Sequence, residues 1–253
     1  MTVHADRTAV LAVYKELESM HAWRGWHWWP DADPFEVAVG CILVQNTMWT
    51  NVERAIERLV AAAALTPEAM CSLSPEQLEE LIRPSGQYRQ KALKLRAFLA
   101  LAERHGGFQN LMALEPVLLR SELLATWGIG PETADAMVCY AARQPAFAVD
   151  AYTMRLFGRL PLGPADSKDY YTWQRWMLGA LAGVAPDGWG ERDLLARFHA
   201  LIVMHCKHLC LKNRPKCGEC SLVARCDFGK RHHAPLTATS TDGEAEVDLG
   251  GAE

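Results

Sequence analysis

Four cysteines near the C-terminal end of the chain could bind a metal centre. They are separated by gaps of six, two and five residues, and Pro215 and Gly218 bend the chain between them; the four are Cys210, Cys217, Cys220 and Cys226. Four thiolates at this spacing can hold one zinc ion or one four-iron, four-sulfur (4Fe-4S) cluster. The N-terminus, MTVHADRTAVLAVYKELE, lacks a signal-peptide core, so we expect a cytoplasmic protein, in which clustered cysteines bind metal more often than they form disulfides.

A glycine turn followed by a lone carboxylate is the second chemical feature. Gly128 and Gly130 flank Ile129, a helix begins at Pro131, and Asp150 follows after one helix and a short loop. Glycine tolerates positive φ and has no Cβ, so its N–H groups approach another molecule closely. Together with the helix N-terminus, such a turn favours phosphate binding. The pattern predicts a helix, a hairpin, a second helix and a loop that presents Asp150.

A cluster of tryptophans near the N-terminus has two interpretations. Four tryptophans occur in the stretch HAWRGWHWWP, which ends with Trp28, Trp29 and Pro30. They could form an aromatic plug that seals a junction between domains, because tryptophan buries a large apolar area. They could instead form a flat-walled pocket for a planar ligand. Spacing alone favours the plug.

The elements that position these residues are predicted to be helices. Apolar residues recur at helical spacing over 7–22, 49–64, about 88–105, 152–159, about 168–182 and about 190–209. Another apolar helix runs from Asp33-Pro34 to Gln45, and Thr66-Pro67 and Ser74-Pro75 are helix-start signals. No strand-like alternation or internal repeat is present. The sequence therefore predicts an all-α fold, followed by a disordered acidic tail over 234–253.

The charge distribution indicates where a polyanion could bind. The chain of 253 residues has a formal net charge of −4, and five of its acidic residues lie in 234–253, where there is no Lys or Arg. The remainder is therefore close to neutral at +1, and residues 205–233 have seven Lys or Arg residues against two acids. This local basic segment suits phosphate contact. No run of eighteen apolar residues occurs, so we expect no membrane span.

The cysteine spacing and the hairpin-to-Asp150 stretch resemble the helix-hairpin-helix DNA glycosylases, whose best-known member is endonuclease III. The resemblance covers roughly residues 7–230 and implies a 4Fe-4S cluster on the four cysteines, a hairpin that grips the DNA backbone, and a catalytic Asp150. It implies two helical domains with DNA in the cleft between them: residues 34–144 with the hairpin, and residues 1–33 with 145–233 around the cluster. Many members have a catalytic lysine where this chain has Glu132.

Further site residues follow from the same resemblance. In a bacterial branch that excises 3-methyladenine, a Trp-Trp-Pro lines the base pocket, and Trp28, Trp29 and Pro30 match it. Gln45 matches a glutamine that enters the DNA stack where the target base has left. Lys91 matches a glycine–aromatic–lysine signature near the DNA, and the same stretch fits equally well an ordinary loop and helix start with solvated charges. Lys212, Arg214 and Lys216, between cluster ligands, suit phosphate contact or form a solvated basic loop. Glu132 is either a polar pocket residue or an acid favoured by the helix dipole.

The sequence is compatible with three functions. The first is a monomeric glycosylase for alkylated purines, acting on damaged duplex DNA through Asp150 without a lysine. The second is an endonuclease III-like glycosylase and AP lyase for oxidised pyrimidines, with another amine, such as Lys91 or Lys212, replacing the missing lysine. The third is a non-catalytic DNA-binding or redox-sensing iron–sulfur protein.

Overall fold

Helices form the whole of the regular structure over the residues described. The computed structural model describes residues 6–21, 32–184 and 190–232, and in these ranges there is no strand. The prediction of an all-α fold is therefore confirmed. The α-helices are α1 (Arg7–His21), α2 (Pro34–Leu43), α3 (Trp49–Ala61), α4 (Pro67–Ser72), α5 (Pro75–Ile82), α6 (Tyr88–Arg104), α7 (Phe108–Met112), α8 (Pro116–Leu124), α9 (Pro131–Ala136), α10 (Ala151–Arg159), α11 (Tyr170–Leu181), α12 (Glu191–His208) and α13 (Asp227–His232). A π-helix, Met137–Ala141, continues α9, and short 3-10 helices occur at Arg83–Ser85, Cys217–Glu219 and Ser221–Arg225.

The predicted helix starts are made by side-chain caps. The Thr66 side chain accepts from the Ala69 N–H, and Ser74 and Gln77 form a reciprocal capping box before Pro75. These caps satisfy N–H groups that have no partner inside the helix. Asp33 caps α2 in the same way, with Pro34 in the first turn. Local sequence signals therefore set where these helices begin.

Two separate hydrophobic clusters form the core. One consists of buried apolar residues between Phe35 and Ala146, together with Ala196. The other combines α1 with buried residues between Phe147 and Leu222. The chain passes from the first cluster to the second immediately before Asp150, so this carboxylate lies where the two cores adjoin. The exact domain boundaries stay a prediction.

Several predicted features fall outside the described residues. They are the pocket residues Trp28, Trp29 and Pro30 and the acidic tail over 234–253. Among the helices that the structure describes, none is both long enough and apolar enough to cross a membrane.

Candidate functional site

Asp150 lies at the start of α10 and faces a histidine from a distant helix. Its Oδ1 accepts from the Thr153 N–H at 2.7 Å, so the carboxylate is the N-cap of α10. Its Oδ2 lies 3.4 Å from Nε2 of His199 in α12, within ion-pair range. Both side chains are nearly buried. The Thr153 N–H therefore orients one oxygen of the carboxylate, and the imidazole of His199 faces the other.

The balance of forces on Asp150 favours its charged form. Burial by itself raises the pKa of a carboxyl group. The contact and charge of His199, with the N–H of Thr153, outweigh that effect and hold the pKa of Asp150 below its ordinary value. Asp150 is therefore a carboxylate at neutral pH, as stabilisation of a nearby cation would require.

Glu132, the second residue of α9, belongs to the same electrostatic site. Glu132 is exposed to solvent, yet partial desolvation and the neighbouring charge of Asp150 raise the pKa of Glu132 to about 7, against an opposing effect of His199. When one of two neighbouring carboxyl groups is ionised, its negative charge raises the pKa of the other. The charges of Glu132 and Asp150 therefore interact, and the pKa of Glu132 is raised whereas that of Asp150 is lowered.

The hairpin between α8 and α9 requires glycine at position 128, both for its positive φ and because a neighbouring side chain approaches it closely. Gly128 has φ +83°, and a Cβ there would lie 2.4 Å from Cγ of Lys94 in α6. Gly130 has φ −91°, which any residue can adopt, and a Cβ there would meet nothing within 4 Å. The face beside Gly130 is therefore open to another molecule, whereas Gly128 is covered by the stem of Lys94.

Gln45 contacts this hairpin directly. Its Nε2 donates to the Gly128 carbonyl at 3.2 Å and to Oγ1 of Thr133 at 3.0 Å. Its Oε1 accepts from Nζ of Lys94 at 2.5 Å. Two predicted DNA-contacting elements, 83 residues apart in sequence, therefore share one half-buried cluster with Lys94.

Lys91 departs from the prediction of a DNA contact. Its side chain is 1% exposed, and Nζ donates to the carbonyls of Leu43 and Ser85 at 2.8 and 2.6 Å. Desolvation, with the charge of Lys94, lowers the pKa of Lys91 to about 8. This ammonium group ties α6 to the end of α2 and cannot reach a phosphate outside the protein. The sequence offered one hint, since Lys91 is followed by Ala92 and Leu95 on a buried helix face.

The four predicted metal-binding cysteines line one pocket together with Arg159, His205 and Phe228. Nη1 of Arg159 donates to the Cys210 sulfur at 3.1 Å and to the Leu211 carbonyl at 2.9 Å. Hydrogen bonds from Cys206 and Arg159 lower the pKa of the Cys210 thiol. Within the described ranges, no three His, Cys, Asp or Glu side chains converge closely enough to hold a single metal ion. Lys212, Arg214 and Lys216 are exposed on the same loop.

A buried network connects the hairpin to the backbone beside Asp150. Asp135 of α9 binds Arg120 of α8 through both oxygens, at 2.7 and 3.0 Å. Oδ2 of Asp135 also accepts from the Tyr170 hydroxyl at 2.7 Å and from Nε2 of Gln174 at 2.6 Å. The Val149 N–H in turn donates to the Tyr170 oxygen at 3.2 Å. The position of the Val149–Asp150 loop is thus coupled to the second hairpin helix.

Sequence reasoning missed the residues that support the site from a distance. Lys94, Asp135 and His199 lie in helical stretches, and each occupies an ordinary position in its local pattern. They are recognised only by their contacts in the folded protein, which join Lys94 to Gln45, Asp135 to Arg120 and His199 to Asp150. No spacing rule in one sequence could have selected them.

Comparison with known proteins finds similar chains in DNA repair. The family model described as "HhH-GPD superfamily base excision DNA repair protein" matches residues 39–176. A Methanocaldococcus jannaschii protein, named as a candidate DNA repair glycosylase, is 36% identical over 203 residues, covering 79% of this chain and 88% of that protein. Endonuclease III of Thermotoga maritima is 30% identical over 206 residues, covering 79% of this chain and 86% of that enzyme.

Solved structures give the same result for the fold. The crystal structure of Helicobacter pylori 3-methyladenine DNA glycosylase bound to 1,N6-ethenoadenine superposes with a TM-score of 0.68 at 28% identity, covering 80% of this chain and 99% of that one. A non-covalent endonuclease III–DNA complex superposes with a TM-score of 0.73 at 24% identity, covering 89% and 97% of the two chains. The second likeness concerns the fold alone.

Proposed function

Because the chain belongs to the HhH-GPD superfamily of base excision DNA repair proteins, we propose that it is a monofunctional glycosylase that hydrolytically removes alkylated purines from duplex DNA. The observation that supports this most strongly is the pairing of an ionised Asp150 with Glu132 at the usual lysine position. A carboxylate can stabilise a developing oxocarbenium ion and orient water. Glu132 has no amine and cannot form a Schiff base with the sugar.

The substrate class follows from the charge of the site. Purines alkylated at N3 or N7 are cationic and leave readily, so they need little acid catalysis. A site with Asp150 ionised and Glu132 titrating near pH 7 attracts a cation. Trp28 and Trp29 are proposed to line the pocket, where each aromatic face would attract a cation by about 0.5–2 kcal/mol. The 28% identity to the H. pylori 3-methyladenine glycosylase supports the same class.

DNA binding is proposed to use the cleft between the two helical domains. Reaching a base in a duplex requires flipping it out, which costs a few kcal/mol. The hairpin of Gly128 and Gly130, through its open side at Gly130, would hold the backbone together with the exposed Lys212, Arg214 and Lys216. Each phosphate neutralised makes the slope of log K against log salt more negative by about 0.9. Gln45 would fill the gap left by the base, which requires it to leave its present bonds to the hairpin.

The activity can be tested on two damaged duplexes. With a 3-methyladenine duplex we expect release of the free base and strand breaks only after alkali. With a thymine-glycol duplex we expect neither base release nor breaks. Nicking of thymine glycol without alkali would overturn the proposal, because it would require a lyase amine. DNA binding without release of any base would favour a non-catalytic DNA-binding protein.

The lyase alternative depends on which amine could replace the missing lysine. Of Lys91 and Lys212, Lys91 is buried and therefore a poor nucleophile, so Lys212 is the better candidate. Lys207 is a further candidate, because its charge interacts with Asp150, although desolvation lowers the pKa of Lys207. Borohydride should trap no covalent complex in our proposal. A trapped complex that disappears in Lys207→Ala or Lys212→Ala would identify the lyase amine.

A 4Fe-4S cluster is proposed for the cysteine pocket. Its support is the shared pocket of Cys210, Cys217, Cys220 and Cys226, the 6-2-5 spacing, and the donor from Arg159 that favours a thiolate at Cys210. Cys210, Cys217, Cys220 and Cys226 would supply the four thiolate ligands that hold such a cluster. When bound, the cluster would organise the loop and could exchange an electron. Arg159 and Arg155 hold that loop through the carbonyls of Leu211 and Cys210.

Metal analysis of the purified protein distinguishes cluster from zinc. We expect iron and acid-labile sulfide in equal amounts, with little zinc. Cys220→Ser should lose most of the iron, because one ligand is missing. Cys71→Ser should keep it, since Cys71 is an exposed cysteine of α4 outside the pocket. One zinc per chain without sulfide would contradict the cluster.

A further inference from the structure

His199 is a polar residue on an otherwise apolar part of α12. It is 7% exposed and lies among buried neighbours such as Phe198, Leu201 and Ile202. Its Nε2 faces Oδ2 of Asp150 at 3.4 Å, and its Nδ1 lies 2.6 Å from the Tyr140 hydroxyl. Each ring nitrogen therefore has a polar neighbour on a different segment of the chain. A histidine needed only for packing would not require this arrangement.

The Tyr140 contact orients the imidazole ring of His199. The Tyr140 hydroxyl donates to the Ala196 carbonyl at 3.2 Å, and its oxygen lies 2.6 Å from Nδ1 of His199. Because the single hydroxyl hydrogen is used by the carbonyl, the Tyr140 oxygen is free to accept from Nδ1–H. This contact directs Nε2 toward Asp150. An ion pair with Asp150 requires a proton on Nε2, since a bare Nε2 lone pair would be repelled by the carboxylate.

We propose that His199 is a positioning residue for the reaction, holding the Asp150 carboxylate in place through Nε2 while Tyr140 orients the ring. The inference rests on the proposed catalytic role of Asp150. The Thr153 N–H donates to Oδ1, and the His199 ring lies within ion-pair range of Oδ2, so both oxygens are held from the protein side and rotation of the carboxylate is restricted. Preorganisation of this kind accelerates a reaction because no reorientation is needed when charge develops.

The electrostatic consequence has a definite sign. Besides His199, the titratable groups whose charges interact with that of Asp150 include Glu132 from α9, Lys207 and Cys206 from α12, and Tyr152 from its own helix. Among the effects on Asp150, those of His199 lower the pKa of the carboxyl group against burial. Removing them should raise that pKa. During acidification, base release in a protein without the His199 contact would therefore decline at a higher pH than in wild type.

Two near-isosteric variants separate positioning from packing. The amide nitrogen of His199→Gln can take the place of Nε2, whereas the amide of His199→Asn takes that of Nδ1 and leaves Asp150 without its donor. In single-turnover base release we expect His199→Gln to stay within a few-fold of wild type and His199→Asn to be slower by about 10- to 100-fold. Tyr140→Phe should be slowed several-fold. DNA affinity should change little in all three variants.

Two further measurements complete the test: the pH dependence of the rate, and the effect of His199→Asn in a protein that already carries Asp150→Asn. His199→Asn should move the acid limb of the pH–rate profile upward and should have no further effect when Asp150 is already Asn. Equal losses in His199→Gln and His199→Asn, or an unmoved acid limb, would overturn the proposal. Carbon-13 NMR titration of the Asp150 carboxyl needs no activity. An unchanged pKa of Asp150 in His199→Asn would overturn it too, whereas a wild-type protein that releases no base counts against the proposed function instead.

Discussion

Asp150→Asn should slow base release from alkylated DNA by a factor of about 10²–10⁴ while leaving DNA affinity unchanged. The substitution removes the negative charge that would stabilise the oxocarbenium ion and orient water. It keeps the helix cap, because asparagine accepts from the Thr153 N–H as aspartate does. Any loss of activity therefore reports on chemistry and not on unfolding of α10. Single-turnover kinetics and a binding titration on the same alkylated duplex measure the two quantities.

A second aspartate in this chain is a matched control for the cap. Asp169 also caps a helix, accepting from the Thr172 N–H at 2.8 Å, but it is exposed at the start of α11 and is not among the groups acting on Asp150. Asp169→Asn should leave base release and binding as they are. A normal rate in Asp150→Asn would remove Asp150 from the mechanism. Equal rate losses in the two variants would mean that helix stability, not catalysis, had been measured.

Asp135→Ala should destabilise the protein by about 3–5 kcal/mol, because it leaves buried partners without their charge. Asp135 is 1% exposed and binds Arg120, Tyr170 and Gln174 at 2.6–3.0 Å. The pKa of Arg120 is raised by its hydrogen bond to Asp135, so this contact favours the charged guanidinium. At about 2–4 °C per kcal/mol for a chain of this size, the melting temperature should fall by about 10 °C.

An exposed ion pair supplies the control for this stability prediction. Asp193 binds Arg192 at 2.9 Å, and the Asp193 side chain is 52% exposed. Because solvent screens such a pair, Asp193→Ala should change the free energy of unfolding by no more than about 1 kcal/mol. Thermal melts of both variants test the contrast. Similar melting temperatures in Asp135→Ala and wild type would show that the network contributes nothing to stability.

The residues found from sequence share one property, which is that their signals are local. The helix starts at Thr66 and Ser74 depend on side chains within three residues of the groups they cap. The cysteine spacing and the glycine turn before Pro131 are short patterns of the same kind. The membership of the repair family, now shown by the comparisons, was accessible for this reason.

Lys91 shows how a local pattern can mislead. A lysine in a glycine–aromatic–lysine signature suggested a surface contact with DNA, but burial and two carbonyl acceptors make it a structural link between α6 and α2. Lys94, only three residues further, is the lysine that reaches the hairpin and Gln45. One helical turn therefore separates a buried ammonium from one beside the proposed DNA-binding surface, and the sequence alone does not distinguish them.

The sequence by itself determined the helical class of the fold, the caps that start its helices, and the motifs around Asp150 and the cysteines. Only the tertiary structure decided that His199 faces Asp150, that Asp135 connects the hairpin to Val149, and that Gln45 binds the hairpin. These contacts join residues many positions apart, and they form because apolar helix faces are buried in two adjoining cores. Hydrophobic burial is not directional, so it brings polar groups together at places that no local spacing specifies.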